Sequence, residues 1–142
     1  MRRLAAALVA GAIVAAGCQG LGPDPAGPSV TVDCAALDAS GGATLERTLT
    51  VPVGSQFEVI LCSNPSTGFT WETPTWDGDA GVELATEGVI EPADAMPGAP
   101  GAQAFGFTTS DQGTSRVAFT YSQPWDGGTK GAWSVRLDVT VE

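Results

Sequence analysis

The stretch "AWSVRLDVTVE" (132–142) constrains the chain more than any other. Trp133, Val135, Leu137, Val139 and Val141 share one parity, and Ser134, Arg136, Asp138 and Thr140 share the other. A period of two belongs to a strand with one face on a core and one in water. "SRVAFTYS" (115–122) repeats the pattern with Val117, Phe119 and Tyr121. The same reading predicts strands over "SVTVDC" (29–34), "ATLERTLTV" (43–51) and "FTWET" (69–73), and over "GVELATEGVI" (81–90) and "QAFGFTT" (103–109). "QFEVILC" (56–62) is apolar on both faces, as a central strand would be. Helix-period patterning appears nowhere beyond the N-terminal segment. Seven to eight short strands separated by turn residues predict an all-β, immunoglobulin-like sandwich, with a closed barrel as the competing architecture. Both hold loops at their ends, where function on such folds usually sits.

The N-terminus follows a different logic. "MRRLAAALVAGAIVAAGC" has two arginines, an uncharged apolar run and small residues before Cys18. That is the layout of a secretory signal peptide over residues 1–17. The run is shorter than the roughly 20 apolar residues a spanning helix needs. A cysteine directly after Ala15-Ala16-Gly17 resembles a bacterial lipobox, in which Cys18 is lipidated and opens the mature chain. The expectation is an exported protein, lipid-anchored through Cys18 to the periplasmic or extracellular face of the cell envelope. Residues 18–29, "CQGLGPDPAGPS", are rich in Gly and Pro and read as a tether, leaving 30–142 as one domain.

Charge and cysteines narrow the function classes. Loss of Arg2 and Arg3 with the leader takes the formal charge from −10 to −12. So acidic a chain lacks the clustered cations that phosphate binding requires, which excludes nucleic acid as a partner. With Cys18 lipidated, Cys34 and Cys62 remain, and an even remainder in an exported protein predicts one disulfide, with two free thiols as the alternative. The chain has no histidine. Ser-His-Asp and Cys-His catalysis are therefore excluded, together with most zinc sites. Asp77, Asp79 and Glu83 in "WDGDAGVE" lack the remaining ligands and the glycine position of a calcium loop, and read as a solvated acidic turn. No enzyme, cofactor or metal is expected, and a monomer is.

Three turn-rich segments remain. In "NPSTGF" (64–69), Pro65 fixes its own φ and biases Asn64 towards an extended conformation. The Asn64 side chain can bond the backbone two residues on, and Gly68 permits a positive φ before the chain re-enters a strand. Ser66 and Thr67 are thereby set at the tip, hydroxyls outward. Such a loop is rigid before it meets a partner, so little entropy is lost on docking. The second segment, "MPGAPGAQAF" (96–105), has the small residues that let a loop approach another backbone closely. The third, "YSQPWDGG" (121–128), presents Trp125 on a turn, either packed back onto the sandwich end or held out as a contact anchor.

Taken together and in order, these segments resemble the chagasin family of cysteine protease inhibitors, from about "VPVGSQFEVIL" to the C-terminus. "NPSTGFTW" is similar to the family's Asn-Pro-Thr-Thr-Gly-Tyr/Phe loop, "GAPGAQAF" to its Gly-x-Gly-Gly loop and following strand, and "GTSRVAFTYSQPW" to the strand ending in Arg-Pro-Trp/Phe. The resemblance implies an immunoglobulin-like sandwich that reversibly blocks papain-like cysteine proteases with three neighbouring loops. By position, Asn64, Pro65, Ser66, Thr67, Gly68 and Phe69 form the central wedge, with Ser66 and Thr67 facing the catalytic cysteine and histidine. Gly98, Ala99, Pro100 and Gly101 flank it on one side, and Gln123, Pro124 and Trp125 on the other. Two departures matter. Gln123 stands where arginine is usual, which removes a charge-assisted contact. Pro100 stands where glycine is usual, which removes an N–H donor and stiffens that loop. The alternative function is a surface lipoprotein that binds carbohydrate or another ligand through Trp71, Trp76 and Trp125, with no inhibitory activity. A purely structural envelope lipoprotein is a third.

Overall fold

A computed structural model describes residues 27–92 and 99–142, so the leader, Cys18 and Gly98 fall outside the described residues. Among the described residues nine strands form two sheets: β1 (Ser29–Val32), β2 (Thr44–Val51), β3 (Gln56–Ser63), β4 (Thr70–Trp71), β5 (Thr75–Gly78), β6 (Val82–Ile90), β7 (Gly101–Thr109), β8 (Gly113–Ser122) and β9 (Trp133–Val141). One sheet has the order β1-β3-β7-β6. The other runs β2-β9-β8-β4, with β5 also pairing β8. Two separate sheets make a sandwich, and the barrel alternative falls. Most neighbours are antiparallel, but β1 lies parallel to β3 and β2 parallel to β9.

The predicted alternation is the core. Val117, Phe119 and Tyr121 of β8 and Val135, Leu137, Val139 and Val141 of β9 are buried. They face Phe57, Val59 and Leu61 of β3 and Phe105 and Phe107 of β7. Phe57 stacks on Phe107 with ring centroids 4.9 Å apart, and Phe107 meets Phe119 edge-on across the two sheets. Burial of one such aromatic contributes roughly 1.5–3 kcal/mol, so these rings dominate the adhesion of the layers. β6 is an edge strand. A register shift between Leu84 and Thr86 breaks its pairing with β7, and Val89 and Ile90 are left exposed.

Two features depart from expectation. The first strand ends at Val32, not Cys34, and the chain turns into a six-residue helix, α1 (Cys34–Ala39). The Asp33 carboxylate caps it by accepting from the Ala36 N–H at 2.8 Å. A helix this short has no room to display a 3.6-residue period, and its one buried residue is Leu37. The second departure is β5. Asp77 and Gly78, expected in an acidic turn, lie opposite Arg116 and Ser115. Asp79 then accepts from the Thr114 N–H at 2.9 Å, so this acidic stretch closes a strand junction. Among the described residues no cluster of three His, Cys, Asp or Glu could hold a metal ion.

The expected disulfide forms. Cys34 is bonded to Cys62, with Cα atoms 5.2 Å apart and a sequence separation of 28. It ties α1 to the end of β3. Among the described residues no helix is long and apolar enough to cross a membrane.

Candidate functional site

Strand register decides where the three turn-rich segments lie. Ser63 at the end of β3 is opposite Gly101 at the start of β7. Thr70 at the start of β4 is opposite Ser122 at the end of β8, and Tyr121 is opposite Trp133 at the start of β9. The loop 64–69, the described flank of the second loop (Ala99 and Pro100) and the loop 123–132 therefore share one end of the sandwich. The first of them also crosses from one sheet to the other.

The central loop is built by its own residues. Asn64 has φ −122° and ψ 89°, short of a fully extended conformation, Pro65–Thr67 form one turn of 3-10 helix, and Gly68 closes it in the left-handed region (φ 79°). The Asn64 carbonyl accepts from the Thr67 N–H at 3.2 Å and the Thr67 hydroxyl at 2.7 Å. The Pro65 carbonyl accepts from the Gly68 N–H at 3.1 Å. The Asn64 side chain takes the Ser66 hydroxyl at 2.6 Å rather than a backbone N–H. This corrects the expectation of outward hydroxyls: both residues are exposed, but their hydroxyls are turned back into the loop. In a loop so short, the nearest acceptors are its own.

Two residues outside the predicted site hold this loop at its base. The Tyr121 hydroxyl accepts from the Asn64 N–H at 2.8 Å. Gln103 of β7 reaches across to β4, where its Oε1 accepts from the Trp71 N–H at 2.8 Å and the Thr70 hydroxyl at 3.0 Å. The same oxygen accepts from the Ser63 hydroxyl at 3.4 Å, so one amide spans both ends of the loop. A signal was present in the sequence. Gln103 shares the parity of Phe105 and Phe107, so it is a polar group on a core-facing position and needs partners there.

The third loop is tied to the first. The Gln123 Nε2 donates to the Thr67 carbonyl at 3.4 Å, and its Oε1 accepts from the Thr129 N–H at 2.9 Å. Lys130 donates to the carbonyls of Gln123 and Trp125. The Trp125 indole is 50% exposed. Its inner edge lies over Gly68, where a Cβ would sit 2.5 Å from Cη2. Trp125 is thus both seated and presented: Gly68 and Gly128 provide the seat, and half of the residue's surface faces water. Trp71 is only 3% exposed, with its indole N–H donating to the Cys62 carbonyl at 2.9 Å. Trp76 is exposed but sits on β5, opposite Val117 in the body of β8. The three tryptophans named for a carbohydrate surface do not form one.

Comparison with known proteins adds an independent line. The family model for "Chagasin family peptidase inhibitor I42" matches residues 50–141. The chain is 40% identical over 83 residues to chagasin of Trypanosoma cruzi, covering 56% of this chain and 76% of chagasin. The solved cysteine protease inhibitor EhICP2 of Entamoeba histolytica superposes with a TM-score of 0.60 at 21% identity, over 81% of this chain and 96% of that one. PbICP-C, solved in complex with falcipain-2, gives 0.58 at 15% identity, over 82% of this chain and all of that one.

Proposed function

The chain belongs to the chagasin family of peptidase inhibitors, and from that premise we propose that it plugs the active-site cleft of papain-like cysteine proteases with three adjacent loops. Family members are inhibitors of cysteine proteases, not enzymes, and the lack of histidine agrees with that. The observation that carries the loop assignment is the gathering of three family-ordered segments at one sandwich end. PbICP-C, of like fold, was solved bound to falcipain-2, which supports a papain-like enzyme as partner.

On this reading Asn64–Phe69 act as the wedge, with Gly98–Gly101 assigned as one flanking contact and Gln123, Pro124 and Trp125 as the other. The wedge enters the cleft as a closed 3-10 turn in which the Asn64 and Pro65 carbonyls are already engaged from within. Its hydrogen bonds exist before binding, so docking immobilises little that is not already ordered. The same bonds resist conversion to the extended backbone that cleavage needs, and the protein acts as a plug instead of a substrate. Trp125 supplies the large apolar contact typical of binding hot spots. Gln123, in place of arginine, serves the joint between loops, so shape complementarity replaces a charged contact on that flank.

A lipid on Cys18 and the tether to residue 29 would hold this plug at the envelope surface. The support is the Arg-Arg, apolar run and Ala-Ala-Gly-Cys order of the leader. Titration of papain and related enzymes with the purified protein tests the inhibitory reading. Metabolic labelling with a palmitate analogue, lost in Cys18→Ala, tests the anchor.

A further inference from the structure

A fourth connection crosses the same sandwich end. β1 runs parallel to β3, with Val32 opposite Leu61, so it delivers the chain to the base of the wedge. β2 departs from that end too, since Thr44 lies opposite Ser134 near the start of β9. Residues 33–43, including α1, therefore pass beside the loops. Two anchors hold α1 there: Leu37, 1% exposed in the core, and the Cys34–Cys62 bond, two residues before Asn64.

Between α1 and the loops lies a cleft of about 450 Å³. Asp38 of α1 and Thr67 of the wedge are exposed at its rim, with Asn64 beside them. Its floor is aromatic. Phe69 stacks on Tyr121 at 5.3 Å, and Tyr121 on Trp133 at 4.7 Å. None of the residues lining it is cationic.

We infer that this cleft receives an arginine or lysine side chain carried on the rim of the protease that the loops engage. The inference rests on the inhibitory reading and adds a docking subsite to it. This apolar floor accepts the methylene stem of a long cationic side chain while its charged head stays at the mouth. A carboxylate at the mouth completes a charge-assisted contact. Continuity with the wedge is direct, because Asn64 and Thr67 belong to both surfaces. An enzyme seated on the wedge thus brings its neighbouring rim over Asp38.

The test compares inhibition constants of wild type, Asp38→Asn and Asp38→Lys against papain and several related enzymes. Glu83→Lys serves as control, since Glu83 is exposed and lies opposite Thr108 at the far end of the sheet. Asp38 is exposed near the C-terminal end of α1, where a cation is favoured, so neither Asp38 variant should melt earlier than wild type. For the most tightly inhibited enzyme, Asp38→Asn should raise Ki about threefold and Asp38→Lys about tenfold or more. Glu83→Lys should stay within about twofold. Asp38→Lys within about twofold of wild type, or matched by Glu83→Lys, overturns the subsite while wild-type inhibition leaves the function intact. A wild type that inhibits none of the enzymes overturns both.

Discussion

Replacing Gly68 with alanine tests the joint between two loops. Gly68 has φ 79° and ψ 0°, a left-handed conformation that costs an L-residue about 1–2 kcal/mol. The new Cβ would also stand 2.5 Å from Cη2 and 3.0 Å from Cζ3 of Trp125. That second conflict is relieved outward, because the indole is half exposed and its far end can swing into water. The expected stability loss is therefore the backbone cost alone, about 1–2 kcal/mol, and a domain stable by roughly 5–15 kcal/mol remains folded. Inhibition should suffer more. Hot-spot truncations typically cost about 2 kcal/mol, so an unseated Trp125 should raise Ki at least tenfold. Urea unfolding reads the first quantity and tight-binding titration of papain the second. On a Trp125→Ala background, Gly68→Ala should add no more than about a twofold further loss, since both changes remove one contact. A Gly68→Ala protein destabilised as stated but with wild-type Ki would refute the reasoning. So would full additivity with Trp125→Ala.

Tyr121→Phe removes the acceptor of the Asn64 N–H, and thermal or urea unfolding should show a loss of about 1–2 kcal/mol. Weaker inhibition should accompany it as the wedge loosens. Gln103→Leu leaves the Trp71 N–H without its acceptor and should cost about 1–3 kcal/mol by urea unfolding. Unlike Tyr121→Phe, it should also speed amide exchange at Trp71. Reduction of Cys34–Cys62, or paired alanine substitution, should lower stability by about 3–4 kcal/mol, as expected for a loop spanning 28 positions.

Strands were legible in the sequence where one face is buried and the other wet. β8 and β9 show that alternation, with Val117, Phe119, Tyr121, Val135, Leu137, Val139 and Val141 all inward. β5 was not legible, because all four of its residues are exposed and no apolar parity marks it. Its pairing with β8 is a tertiary fact. α1 escaped for a similar reason: six residues with a single buried leucine carry no period, and its position depends on a bond to Cys62. At the site, the wedge turn followed from Pro65 and Gly68, whose backbone preferences are local. The direction of the Ser66 and Thr67 hydroxyls did not, since it depends on where the Asn64 oxygens lie once the turn has closed. The roles of Gln103 and Tyr121 needed the partner strands in place. Parity had nevertheless put both on the core side, where a polar group demands a partner.

Papain titrated with the purified protein tests the central claim most directly, with residual activity and the integrity of the inhibitor followed together. The account predicts competitive, reversible inhibition at one inhibitor per active site, with a Ki at or below the micromolar range. The chain should be recovered uncut between Ser63 and Thr70. Full papain activity at micromolar protein, repeated across several related enzymes, would contradict it, and so would cleavage within Asn64–Phe69.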